Sequence, residues 1–136
     1  MGSPIIRNIP RYQPTMVVLI AILYLTLFPQ PLGDEGIHMF EGADKVVHFI
    51  MFGGLTGTFL FDRWRMERPL SMGAALLVAL ISTIIGAAVE YLQYAMQLGR
   101  TGNDLFDALA NTLGAFTAVP ACRWLHWINV VIDNRT

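Results

Sequence analysis

Arg100-Thr101-Gly102-Asn103-Asp104-Leu105-Phe106-Asp107-Ala108-Leu109-Ala110-Asn111-Thr112-Leu113-Gly114 opens as a polar turn and runs straight into an apolar segment. At about 100° per residue, Asp104, Asp107 and Asn111 fall within about 60° of one another on a helix. Leu105, Phe106, Leu109 and Leu113 cover much of the remaining surface. A polar stripe on a hydrophobic helix is costly unless something faces it. The rest of the chain must therefore supply polar partners.

Composition names the solvent. Of 136 residues, 54% are hydrophobic and 14% charged, where a soluble domain carries about 25% charged residues. The deficit lies in long uncharged windows and predicts one lipid-embedded domain over residues 1–136. A net charge of −1 leaves no basic patch for nucleic acid. The single Cys122 excludes an internal disulfide and a multi-cysteine metal site.

Outward from the quoted stretch, three further apolar segments appear. After a polar start with Arg7 and Arg11, residues 14–33 carry no charge. This pattern is similar to a signal peptide, but Pro29-Gln30-Pro31-Leu32-Gly33 is not a small-x-small cleavage site. An uncleaved, slightly short helix at about residues 15–29 is expected, ended by the prolines. Asp34 to Asp44 reads as an exposed acidic loop. A second helix, about 44–61, carries Gly53, Gly54 and Gly57, which permit close approach of a neighbour. Asp62 to Pro69 reads as a short charged loop with an interfacial Trp64. A third helix spans about 70–96, and the fourth about 103–121, with Pro120 near its end and Trp124 and Trp127 beyond.

The expected fold is an all-α membrane protein, a four-helix transmembrane bundle. Four crossings force the loops to alternate sides. Arg7, Arg11, Arg63, Arg65, Arg68, Arg123 and Arg135 then share one side, and only Lys45 and Arg100 the other. Seven against two predicts both termini in the cytoplasm.

That orientation carries the unusual polar residues to the outer side. Asp44, Lys45 and His48 open helix 2, Glu90 and Gln93 share a face late in helix 3, and Arg100, Asp104, Asp107 and Asn111 belong to the start of helix 4. Ionisable groups so placed usually face a bundle interior or a wet cavity. Simpler roles compete. Asp44 and Asp104 suit helix caps, Lys45 and Arg100 can snorkel, His48 can be an interior hydrogen-bonded histidine, and Asn111 can bind two helices together. Glu90 is harder to explain alone, because the end of a helix disfavours an anion. Lys45, Arg100 or protonated His48 are its candidate partners.

Asp44-Lys45-x-x-His48, Glu90-x-x-Gln93, and Arg100 followed by Asn103-Asp104-x-x-Asp107-x-x-x-Asn111-Thr112-x-Gly114 together resemble the VanZ-like family. The resemblance covers most of the chain. It implies a bacterial cytoplasmic-membrane protein of the cell envelope and, from the member that names the family, a link to teicoplanin resistance; it implies no reaction.

Three functions compete at this point. The first is an enzyme on an envelope lipid or lipid-linked amphiphile at the outer leaflet. His48 or Glu90 would be acid or base, Asp104 and Asp107 would orient partners or a metal, and Asp44, Lys45, Gln93, Arg100 and Asn111 would hold the ligand. The second is a non-catalytic lipid-binding protein using the same residues. The third is a structural subunit whose polar cluster is an internal salt-bridge network and whose Gly53, Gly54 and Gly57 surface docks another membrane protein or a second copy. Ser71 and Ser82 are poor nucleophiles by position. One histidine among carboxylates suits an oxygen-preferring divalent cation as cofactor, with His38 an added ligand.

Overall fold

The computed structural model describes residues 8–28, 43–96 and 104–135, with the side chains of Ala43, Asp44 and Asp104 left aside. Within them the chain forms four helices and no strand: α1 (Gln13–Leu27), α2 (Ala43–Arg65), α3 (Met72–Ala95) and α4 (Asp104–Asp133). Phe28 leaves α1 in an extended conformation (φ −80°, ψ 140°), which is what a residue before proline favours. Ser71 caps α3 by accepting from the Ala74 N–H at 3.2 Å.

Side-chain pairs fix the helix directions. His48 meets Glu90, Phe52 lies beside Gly86 and Thr56 donates to Ser82, so α2 and α3 run antiparallel. Lys45 meets Asp107 and Gly57 lies beside Cys122, so α2 and α4 run parallel. Thr15 meets Asp62 at one end of α1 and Thr26 meets Gln93 at the other. The four helices therefore alternate in direction.

The core is assembled from small residues. The buried positions of α3 are Ala75, Ala79, Ser82, Gly86, Val89 and Gln93, a repeat of four and three residues, while Leu77, Leu80, Ile81 and Ile84 are exposed. A water-soluble helix shows the reverse, with large apolar side chains inside. Small residues inward and large ones outward are the packing habit of lipid-embedded helices. Two segments, Met72–Ala95 and Leu105–Asp133, are long and apolar enough to cross a membrane. The apolar α1 has 15 residues, about 22 Å at 1.5 Å per residue, against a hydrocarbon core of about 30 Å.

α2 and α4 form the most extensive contact. A Cβ on Gly114 would fall 2.1 Å from the Phe49 carbonyl oxygen, and one on Gly53 would fall 3.1 Å from the Gly114 oxygen. Backbone thus lies on backbone. Gly57 faces Cys122 of the same chain, whereas Gly54 has open space beside it. Two of the three glycines expected to admit a neighbour are therefore occupied by the chain's own α4.

Two expected boundaries shift. α2 continues through Asp62 to Arg65, the start of the supposed charged loop, because Asp62 is drawn inside. Its fully buried carboxylate accepts from the Thr15 N–H (3.2 Å), the Thr15 hydroxyl (2.5 Å) and Arg65 Nη2 (2.9 Å). Arg65 in turn donates to the Ile9 and Pro10 carbonyls. An acid at the first turn of α1 also suits the helix dipole. α4 passes through Pro120 and ends at Asp133. Buried Val119, Cys122 against Gly57 and His126 against Trp64 hold the chain on either side of the lost donor.

Candidate functional site

At the end of the bundle formed by the starts of α2 and α4 and the end of α3, polar side chains from all three helices converge. α2 presents Lys45 and His48 one turn apart, and α4 presents Asp107 and Asn111 one turn apart. Because those helices are parallel and in close contact at Gly114, the pairs fall in register. Lys45 Nζ lies 3.5 Å from Asp107 Oδ1, and His48 Nδ1 lies 2.9 Å from Asn111 Oδ1. α3 completes the cluster with Glu90, whose Oε1 is 3.6 Å from His48 Nδ1.

Burial differs along the cluster. Asn111 is 1% exposed and Asp107 6%, while the Lys45 side chain is about one-third exposed. The cluster thus has a closed inner part and a cation at its mouth. His48 Nδ1 is within hydrogen-bond distance of Asn111 Oδ1 alone, so a proton on Nδ1 donates to that amide oxygen and leaves Nε2 as the acceptor nitrogen of the neutral ring, with Glu90 Oε1 beyond hydrogen-bond reach. Asn111 Nδ2 is buried without a hydrogen-bond partner among the described residues.

Sequence reasoning missed Gly86. A Cβ there would lie 2.9 Å from Asn111 Nδ2 and 3.3 Å from Asn111 Cβ. Gly86 therefore makes the space into which α4 inserts Asn111, one turn before Glu90 on α3. The signal was present as a glycine four residues ahead of the only acid in α3.

Of the expected residues, Lys45, His48, Glu90, Asp107 and Asn111 are brought together. Gln93 is directed elsewhere: its amide donates to the Thr26 carbonyl at 2.8 Å, satisfying one of the last carbonyls of α1. The side chains of Asp44 and Asp104, with Arg100, Asn103 and His38, lie outside the described residues. Ser71 and Ser82 are engaged as a helix cap and as the acceptor of Thr56.

Chemically, the set can hold an anionic or zwitterionic group at Lys45, or move a proton at His48 with Glu90 orienting the ring. It can also hold a divalent cation. One ligand atom each from His48, Glu90 and Asp107 lies within 4.8 Å of the others. Two carboxylates and one imidazole would suit an oxygen-preferring divalent cation such as Ca²⁺ or Mg²⁺.

No solved structure and no curated protein matches the chain. The sequence model of the VanZ/LLP1 family matches residues 15–126, from the start of α1 to the part of α4 that packs on Trp64. The matched span takes in every residue of the cluster, and the chain belongs to the VanZ/LLP1 family.

Proposed function

We propose that the protein is a multi-pass component of a bacterial cytoplasmic membrane that handles an envelope lipid or lipid-linked amphiphile. All four helices cross, both termini are cytoplasmic and the His48 cluster opens to the outer face. The observation that carries this reading is the convergence of Lys45, His48, Glu90, Asp107 and Asn111 from three helices in a chain with few charges. Buried ionisable groups in a lipid-embedded bundle are expensive and are usually retained for function.

In this reading Lys45, at the mouth, receives the phosphate or carboxylate of the headgroup. His48 Nε2 serves as base or acid, Glu90 orients the ring, and Asn111 fixes the tautomer. Asp107 holds Lys45 in place or, with Glu90 and His48, a divalent cation. Altered surface exposure of the lipid would change susceptibility to teicoplanin, the phenotype that the resemblance implies.

The test is native mass spectrometry of gently extracted protein, wild type beside Glu90→Gln, with a thermal melt to establish folding. A copurifying lipid lost from a folded Glu90→Gln variant is the expected result. Accumulation of an unprocessed lipid in cells carrying that variant would make the protein an enzyme. Retention by Glu90→Gln of every lipid species that wild type carries, at the same stoichiometry, removes the cluster from its binding.

The second reading, an internal salt-bridge network in a structural subunit, draws on the Lys45–Asp107 and His48–Glu90 pairs themselves. It requires the pairs to hold the fold, which a melt of the same variants decides.

A further inference from the structure

The opposite, arginine-rich end of the bundle carries a groove of about 490 Å³ between the end of α2, the start of α3 and α4 beyond Pro120. Sites that enclose a drug-sized ligand occupy about 300–1,000 Å³. Most of the lining is apolar, with Leu60 and Leu70 among it, and Trp64, Trp127, Arg123 and His126 supply the polar and aromatic edges. α4, which supplies Cys122, Arg123, His126, Trp127 and Val130 to the lining, is one of the two helices long and apolar enough to cross a membrane.

Three observations point to the same occupant. Arg123 lines the groove, and no ion pair or hydrogen bond joins its guanidinium to another described residue. His126 packs edge-on against Trp64 at 5.3 Å, and its Nδ1 is buried with no hydrogen-bond partner among the described residues. Buried polar atoms are normally satisfied, and no protein hydrogen bond opposes a turn of this ring toward a ligand. Among the described residues no Asp or Glu lines the groove to receive a cationic headgroup. Arg68 directly precedes Pro69 of the lining in the sequence, whereas Arg63 donates to Tyr12 and Arg65 is neutralised by Asp62.

We infer that this groove binds one anionic phospholipid, an acyl chain lying along the apolar lining and the phosphate held by Arg123 and His126. Guanidinium and phosphate match as paired donors and acceptors, and Trp64 and Trp127 sit where an interfacial belt places tryptophan. This site is separate from the His48 cluster and does not depend on what that cluster does.

The experiment uses the full chain in detergent, presented with equal amounts of phosphatidylglycerol and phosphatidylcholine of identical acyl chains, and reads retained lipid by native mass spectrometry. Wild type should retain phosphatidylglycerol over phosphatidylcholine by about fivefold, the factor expected for one basic residue on an anionic lipid. Arg123→Gln should abolish the preference, and His126→Phe, which keeps the ring on Trp64, should reduce it. Equal retention of the two lipids by wild type, or an unchanged preference in a folded Arg123→Gln variant, overturns the inference. A preference lost from Glu90→Gln but kept in Arg123→Gln places the lipid at the other end and overturns it as well.

Discussion

The two ends of the bundle each bury charge, but they treat it differently. At one end the Asp62 carboxylate accepts from a backbone N–H, a hydroxyl and a guanidinium, and that guanidinium also holds two carbonyls of the segment before α1. At the other end Lys45 and Asp107 are 3.5 Å apart with Lys45 partly exposed, His48 lies 3.6 Å from Glu90, and the Asn111 amide has a donor without a partner among the described residues. A closed network of short bonds fixes structure. A buried amide donor without a partner among the described residues, such as Asn111 Nδ2, has capacity left for a ligand. The difference teaches that burial of charge alone does not mark a site: the Asp62 carboxylate is fully satisfied, whereas Asn111 Nδ2, like His126 Nδ1 in the groove beside Trp64, is buried without a partner among the described residues.

The comparison breaks most visibly at Asp62. Asp62→Ala removes the partner of a buried arginine, and breaking such a pair costs about 3–5 kcal/mol. The expected outcome is a large fall in melting temperature and release of the segment around Pro10, read as new protease cleavage there. An unchanged melt would mean that the closed end is no firmer than the open one.

Gly114 comes next. Gly114→Ala drives a methyl group into the Phe49 carbonyl, where neither backbone can give way without separating α2 from α4. Overpacking of this kind costs about 1–3 kcal/mol, and the His48–Asn111 pair should lose its register with it. Gly54→Ala meets no atom and gains helix propensity of up to about 1 kcal/mol. Equal melts for the two variants would show that the close crossing is not what aligns the cluster.

Much of this arrangement was legible in the sequence because apolar windows and their punctuation are local signals. The four helices, the grouping of Lys45, His48, Glu90, Asp107 and Asn111, and the small-residue character of α2 all follow from spacing. Asp62 and Arg65 were not legible: beside Arg63, Glu67 and Arg68 they look like any charged loop, and only the arrival of Thr15 from 47 positions away makes Asp62 an interior residue. Gln93 misleads for the same reason, since its partner is a backbone carbonyl, which leaves no trace in the residue types. Pro120 reads as a terminator because the contacts that carry α4 past it, Cys122 to Gly57 and His126 to Trp64, are tertiary. The inward repeat Ala75, Ala79, Ser82, Gly86 was visible in principle, but small residues contribute little to a hydropathy reading.

Asp107→Asn sharpens the comparison with the smallest expected change in stability. The substitution keeps size and one acceptor oxygen for Lys45, and removes one charge from a pair whose other member is about one-third exposed. Partly exposed pairs contribute about 0–1 kcal/mol, so the melting temperature should move little, by far less than for Asp62→Ala. If the cluster is a site, the effect should appear instead as loss of copurifying lipid or metal. A fall in stability comparable to that of Asp62→Ala would make the His48 end a second structural lock, and the salt-bridge network would then account for it. A small change in stability with loss of ligand separates the two ends by function, because loss of a carboxylate charge would then destabilise one end and only empty the other, a contrast that Asp62→Asn beside Asp107→Asn tests like for like.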